Sequence, residues 1–296
     1  MPSTRDIRRR IRSVKSTSQI TKAMQMVASS KMKKAQDAAL AGRPYAVLMN
    51  SVLGEVLNNA GDFTHPLMER REVRKRALIV VSTDKGLCGA LNSNLLREAA
   101  KLDTSTTVFV TVGRKASQFI ARTRRQLAAE FTCTDTPKFS EARAVSRAVR
   151  EMFLKGEVDA VDILFTRFIN TLTQTPTMLP FLPVVELTKE NSGLKAVRSE
   201  ASAPGESKPA TVEFLFEPDP GQVLGDLLPH WLNFILYQVF LEAKASEHSA
   251  RMVAMKNATD NAKGLIKDLT LEYNKMRQAM ITKELIEISS AAMALG

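Results

Sequence analysis

The stretch Ser82–Asn92, STDKGLCGALN, has the residue types in this 296-residue chain that come nearest to chemistry. It follows a β-branched apolar run and opens a helical pattern, the position at which phosphate-binding loops sit. A dinucleotide fingerprint requires G-x-G-x-x-G, and a P-loop closes on Gly-Lys-Ser/Thr. Here only Gly86 and Gly89 are present, and neither pattern is complete. Two readings stay open: a nucleotide-using enzyme built on this loop, or a tight turn that permits close packing or a partner contact. Cys88 as a nucleophile would need a nearby base, but His65, His230 and His248 are all distant in sequence. An inert thiol is the plainer reading. Glu247 precedes His248 without an H-E-x-x-H pattern, so no metal site is expected. Cys88 and Cys133 form no C-x-x-C, which gives no zinc site and no disulfide framework and fits a reducing compartment. No carboxylate pair stands out for acid–base work. The expectation is no catalytic residue, no metal and no cofactor.

Charge points to binding. Net charge is +11, and residues 1–60 carry 11 Lys/Arg against 3 Asp/Glu, whereas residues 221–296 carry 8 of each. A basic N-terminal arm suits an acidic partner, whether protein, anionic membrane surface or nucleic acid. The run Arg5–Arg12, RDIRRRIR, keeps open a basic coiled-coil nucleic-acid binder, although the first aromatic is Tyr45 and single-strand binding uses interleaved aromatics. No secretory leader pattern follows the basic start, and no apolar run is long enough to span a bilayer.

The elements around these residues fall into three sections. Ile7, Ile11, Val14, Ser18, Thr21, Gln25, Ala28, Met32, Ala35 and Ala39 recur at alternating spacings of four and three, which predicts one long helix with a heptad-like seam. Gly42 and Pro44 predict an interruption, after which the pattern resumes to about Leu57. The middle is α/β. Ala77–Ser82, Thr107–Val112 and Val161–Phe165 read as strands, alternating with helical patterns near 90–101, 114–125 and 140–154, which predicts a largely parallel sheet. TPTMLPFLPVVEL, interrupted by prolines, is predicted to be an edge. Residues 191–210 read as a polar, mobile loop, and Thr211–Glu217 as a last strand.

The third section predicts one very long helix, with a kink at Pro229. Met252, Met255, Thr259, Ala262, Ile266, Leu269, Tyr273, Met276 and Met280 keep the three–four spacing, and the stripe continues, shifted by one, through Ile281, Leu285, Ile288, Ala292 and Leu295. At ~1.5 Å per residue the span from His230 to Leu295 is roughly 100 Å. Such a stripe needs a partner, and the N-terminal helix is the one the chain offers. The expected fold is α/β: a long antiparallel coiled coil of N- and C-terminal helices (1–60 and 221–296) with an inserted Rossmann-like domain (75–218). The C-terminal helix is the longer, so its last turns should project. After Glu287 this projecting end is uncharged.

Several stretches also resemble one family. Ile20–Ala35 (ITKAMQMVASSKMKKA), Ser82–Asn92, Phe168–Thr177 (FINTLTQTPT), Phe216–Pro220 (FEPDP) and Ala245–Leu295 are similar, in this order, to the gamma-subunit family of F-type ATP synthases. The resemblance covers essentially the whole chain. It implies a non-catalytic central-stalk rotor of a proton-translocating complex. The paired terminal helices would form an axle inside a hexamer of alpha and beta subunits, and the α/β section would sit beside the epsilon subunit and the c-ring. By motif it implies beta-subunit contacts at Met24, Lys31, Lys33, Cys88, Arg277, Gln278, Thr282 and Glu284. Arg251, Met252, Met255, Ile266, Leu269, Tyr273 and Met276 would face the other helix. Ile288, Ala292, Met293 and Leu295 would form the axle tip. Lys283 stands where the family more often has Gln, and Ala90 replaces a common Gly. The family motif starts about twenty residues from Met1, which reads as a bacterial protein without an organelle leader, peripheral to the cytoplasmic face of the inner membrane.

Overall fold

The computed structural model describes residues 3–59, 65–184 and 219–295; a few side chains within these ranges, those of Ala292 and Leu295 among them, lie outside the description. The expected mobile loop 191–210 and the expected strand Thr211–Glu217 fall outside the described residues. The chain divides into two compact units, Met1–Ser29 with Arg251–Gly296, and Ser30–Ala250.

Helix α1 runs Thr4–Ala41, and α2 runs Arg43–Asn59. The interruption falls at Gly42, where a Cβ would lie 2.2 Å from the Gln238 side-chain nitrogen, so this joint tolerates only glycine without displacing that side chain. A short 3₁₀ turn, Pro66–Met68, leads into β1 (Arg76–Val81). Then follow α3 (Leu91–Ala100), β2 (Thr107–Val112), α4 (Arg114–Arg122), β3 (Leu127–Phe131), α5 (Phe139–Leu154), β4 (Ala160–Phe168) and β5 (Gln174–Leu182). The last element is a single 76-residue helix, α6 (Pro220–Leu295), which continues through Pro229.

The five strands form one sheet in the order β3-β2-β1-β4-β5. The first four are parallel, and β5 returns antiparallel to β4. One strand departs from expectation and another meets it. Leu127–Phe131 (LAAEF) lacks the β-branched signal and becomes a strand only as the partner of β2 at a sheet edge. The proline-rich segment is indeed an edge, with Pro176 and Pro180 set opposite Thr166 and Asp162. Alternation along β1 sorts the core. Ala77, Ile79 and Val81 face a cluster with Val145, Val149 and Phe153 of α5 and Leu224, Leu228, Leu232, Leu236 and Phe240 of α6. Leu78 and Val80 face the other side, with Leu95 of α3 and Ile120 of α4. The greasiest run, Trp231–Leu241, is thus spent on the sheet, which explains why it precedes the long polar part of the helix.

In the other unit, α1 begins with a reciprocal cap: the Asp6 N–H donates to Ser3 Oγ at 3.2 Å, and the Ser3 N–H donates to the Asp6 carboxylate at 3.2 Å. The seam appears as expected. Ile7 and Ala28 are buried, and Ile11, Val14, Ser18, Thr21 and Gln25 are half-buried among exposed neighbours. On α6 the matching set is Met255, Thr259, Ala262 and Leu269, buried, with Met252, Ile266, Tyr273 and Met276 half-buried. The Thr21 and Thr259 hydroxyls meet at 2.7 Å. That contact gives the direction. Burial on α6 stops at Met276, seventeen residues past Thr259, and α1 starts at Thr4, seventeen residues before Thr21. Only antiparallel pairing makes both ends coincide.

Candidate functional site

The sheet's carboxyl edge is where an open α/β sheet binds ligands, at the crevice beside its central strands. In this chain the groups there are turned to structural use. Ser82 Oγ accepts the Ala116 N–H at 2.9 Å and Asp84 Oδ1 accepts the Arg114 N–H at 3.1 Å, so together they cap α4. Asn92 Nδ2 donates to Thr83 Oγ1 at 2.8 Å and to Cys88 Sγ at 3.2 Å. Gly113, at φ +96°, lets the start of α4 approach so closely that a Cβ there would lie 2.4 Å from the Ser82 carbonyl oxygen. The cavity among Ser82, Thr83, Cys133, Thr166, Phe240 and Lys244 amounts to about 10 Å³, room for roughly one water molecule.

The expected partner contact at Cys88 falls on a loop that keeps this side chain inside. Cys88 is only 2% exposed and turns inward against Asn92. The apolar group that the loop presents is Leu87, 62% exposed and held at φ +63°. A non-glycine residue in left-handed backbone is held by its surroundings rather than by preference. Burial also pushes the Cys133 thiol up to about 12, with Glu141 adding to the effect against the pull of Lys244.

Where α6 crosses this edge it is polar and wholly buried from Lys244 to Ser249. Lys244 Nζ pairs with Glu247 at 3.0 Å, the side chains 6% and 5% exposed. Burial opposes charge on Lys244, but Glu247, with Cys133 and Asp84 nearby, outweighs it and holds the amine above its ordinary value. On another face Glu242 accepts the Phe168 N–H at 3.3 Å and stands 3.9 Å from Arg167. Ser249 donates to the Thr171 carbonyl at 2.9 Å and accepts from Gln174 Nε2 at 3.4 Å. Lys31 of α1 bonds Asp135, in the loop after β3, at 2.5 Å, and this bond holds the carboxyl below the usual range. None of these partnerships was legible beforehand. The one usable signal is the small residues Ala243, Ala245, Ser246 and Ser249 interleaved with charges, which permits close approach on every side.

The remaining sequence-predicted residues divide cleanly. Met24 is half-buried beside the seam, and Lys33 is exposed. Arg251, Met252, Met255, Ile266, Leu269, Tyr273 and Met276 are all buried or half-buried. Beyond Met276 every described side chain is exposed, including Arg277, Gln278, Thr282, Glu284 and Ile288, with Met293 82% exposed. The side chains of Ala292 and Leu295 lie outside those described. Lys283 faces Glu287 one turn on at 3.6 Å. No helix among the described residues is long and apolar enough to cross a membrane.

Known proteins share this arrangement. The ATP-synt family, described as ATP synthase, matches residues 3–295. The ATP synthase gamma chain of Opitutus terrae is 51% identical over 300 residues, covering 99% of each chain. That of Methylacidiphilum infernorum is 45% identical over the full length of both. Among solved structures, a chain of the central stalk and c-ring of Tetrahymena thermophila mitochondrial ATP synthase is 25% identical. It covers 81% of this chain and 99% of that one at a TM-score of 0.59. A chain of Euglena gracilis mitochondrial ATP synthase, 18% identical with a TM-score of 0.67 over 99% of this chain and 94% of that one, shares the fold. Full-length identity at this level, on a fold with the same two end helices and inserted sheet, leads to one statement: the chain belongs to the ATP synthase gamma chain family.

Proposed function

We propose that this chain is the central-stalk rotor of a proton-translocating F-type ATP synthase. It couples rotation of the c-ring to ATP synthesis and hydrolysis on the beta subunits. The observation that carries this reading is the end of α6: a helix that is paired as far as Met276 and then continues bare to its apolar tip. A lone soluble chain gains nothing from exposing Ile281, Leu285, Ile288 and Met293 together. Inside a sleeve of alpha and beta subunits the same residues become a bearing, because apolar contact is non-directional and gives no preferred angle of rest.

Coupling then follows from asymmetry. Each beta subunit meets a different face of the rod, and a ligand or partner shifts a conformational equilibrium only by its differential interaction with the two states. Arg277, Gln278, Thr282 and Glu284, exposed just below the tip, are the groups assigned to gripping a beta-subunit loop. Met24, Lys31 and Lys33 lie lower on α1, where Lys31 is already engaged by Asp135. At the carboxyl edge of the sheet, Leu87 takes the contact role first given to Cys88. The exposed Arg5, Arg8, Arg9, Arg10 and Arg12 suit acidic surfaces on the surrounding subunits. The chain performs no bond chemistry itself; its partners are alpha, beta and epsilon subunits and the c-ring, at the cytoplasmic face of a bacterial inner membrane.

The test is reconstitution. Mixed with alpha and beta subunits, the chain enters a complex that hydrolyses ATP, while alone it does not. A stable alpha–beta hexamer that excludes it overturns the reading. Tight, saturable nucleotide binding to the isolated chain, lost on changing Ser82–Asn92, would instead favour the enzyme reading.

A further inference from the structure

A rotor that carries torque faces a mechanical problem where its rod leaves the globular part. Hydrophobic packing holds a helix in place but does not fix its angle about its own axis, because such contacts are non-directional. Hydrogen bonds weaken steeply with misalignment, so they do fix it. The core of the sheet unit grips α6 through leucines and Phe240. The directional contacts come immediately afterwards, in the last turns before the unit ends at Ala250.

We infer that Glu242–Ser249 is a keyed collar that locks α6 against turning within the sheet unit, with Glu242 and Ser249 keyed to the turn between β4 and β5 and the intrahelical Lys244–Glu247 pair buried on the opposite side. The proposal rests on the rotor reading and adds the place where torque passes between sheet and rod.

The geometry is specific. At about 100° per residue, Glu242 and Ser249 share one face of the helix, and Lys244 and Glu247 point about 170° away from Glu242 on average. The first face is held by the turn between β4 and β5. Glu242 takes the Phe168 N–H at 3.3 Å, and two turns later Ser249 donates to Thr171 at 2.9 Å and receives Gln174 at 3.4 Å. That turn is itself stiff, because Asn170 Oδ1 accepts the Leu172 and Thr173 N–H groups at 2.9 and 2.7 Å. The opposite face presses Lys244 and Glu247 against the ends of β1 and β4 and the loop after β3, around Thr83, Cys133 and Thr166. The rod cannot rotate without breaking the bonds of the first face and carrying the buried Lys244–Glu247 pair, which is made within the helix, out of its place on the second. Burial matters here, since these bonds gain strength where water is excluded and cannot be traded for water on slipping. A helix that needed only to be anchored could use leucines on both faces; burying an ion pair there gives no stability that apolar residues would not.

The experiment measures torsional stiffness in the assembled complex. The hexamer is fixed to a surface, and a bead is attached through a cysteine introduced at Leu154, which is exposed, whereas Cys88 and Cys133 are buried. The angular variance of the bead is recorded in the nucleotide-arrested state. Lys244→Met with Glu247→Leu keeps bulk and removes the buried charges from one face; Glu242→Met with Ser249→Ala and Gln174→Ala removes the hydrogen bonds from the other. Each set should raise the angular variance by about twofold or more, with the complex assembled in normal yield. Combining both sets should raise it further. An unchanged variance in assembled complexes overturns the collar, and assigns these residues to packing alone. If the first set does not assemble, the second is read in the same way, since the Glu242–Arg167 pair it removes is only partly buried. A wild-type complex that never rotates under ATP would overturn the rotor reading itself, a result distinct from a rotating wild type whose variants are equally stiff.

Discussion

Two stretches of α6 reverse the usual distribution of side chains. From Lys244 to Ser249 the helix is polar and buried; from Arg277 to Met293 it carries Met280, Ile281, Leu285, Ile286, Ile288 and Met293, and these apolar side chains are exposed. Neither choice stabilises a folded chain on its own. Buried polar groups are costly unless fully bonded, and exposed apolar groups forgo their transfer energy. The contrast makes sense as mechanics: directional bonds where the rod must not turn, featureless apolar surface where it must.

The largest effects should come from breaking the buried pair on one side only. Lys244→Ala leaves Glu247 charged in a buried site, and such changes destabilise by about 3–5 kcal/mol. Urea unfolding of the full chain should show that loss, while Lys244→Met with Glu247→Leu should lie close to wild type. If both variants lose the same amount, the pair acts as filling, and the contrast with the bare end is a matter of packing. Next in size is Gly113→Ala. It forces a Cβ against the Ser82 carbonyl at φ +96° and displaces the segment behind which Lys244 is buried. A loss of about 1–3 kcal/mol is expected from the backbone alone, read as a lower urea midpoint with the helix content of the rod unchanged.

The collar's other face can be sharpened by pH. Burial pushes the Glu242 carboxyl up from 4.5 to about 7, against the pull of Arg167 and the Phe168 N–H. A raised carboxyl makes the folded chain hold a proton that the unfolded chain has already released. Its contribution is therefore complete below the unfolded value and is lost as pH rises from 4.5 through about 7. Glu242→Gln keeps an acceptor for Phe168 and does not titrate. Unfolding midpoints measured at about pH 5 and pH 8 should fall with pH in the wild type more than in the variant. Equal slopes in both would mean that Glu242 reaches water freely. Smaller still is the seam. Thr21→Val and Thr259→Val should each cost about 1 kcal/mol or less, and a double-mutant cycle should return about 0.5–1 kcal/mol of coupling.

The contrast between the two stretches was half legible in the sequence. The bare end followed from counting: α6 keeps its three–four stripe well past the reach of α1, so the overhang and its exposure were predictable from period and length. The seam itself was equally plain, since Ile7 through Ala28 and Met255 through Met276 repeat without a break. The collar was not legible, because Lys244, Glu247 and His248 look like any solvated helix face until the strands they cross are known. The same limit explains Leu127–Phe131, whose alanines carry no strand signal and which is a strand only because β2 offers it an edge. It also explains Cys88, since the sequence of a Gly-rich turn does not say which side chain points inward. Pattern reveals what repeats along one element; the fold alone reveals what meets across elements.

The smallest effect on the chain should come from the end of the rod, and there the comparison can fail outright. Ile281→Ser, Leu285→Ser and Ile288→Ser together alter only exposed positions, at 49%, 62% and 66%. Each change of this kind lies within about ±0.5 kcal/mol, apart from a small loss of helix propensity. The urea midpoint of the full chain should therefore barely move. In the assembled complex the same variant should bind its hexamer less tightly and turn with more friction, because serine hydroxyls offer a sleeve directional bonds that leucine does not. Deleting Ala291–Gly296 should weaken assembly and torque only in part, since Arg277, Gln278, Thr282 and Glu284 remain below the cut. Loss of all ATPase activity in an assembled complex lacking those six residues would show that the tip grips instead of turning. The apolar end would then have the same task as the collar, accomplished by different chemistry.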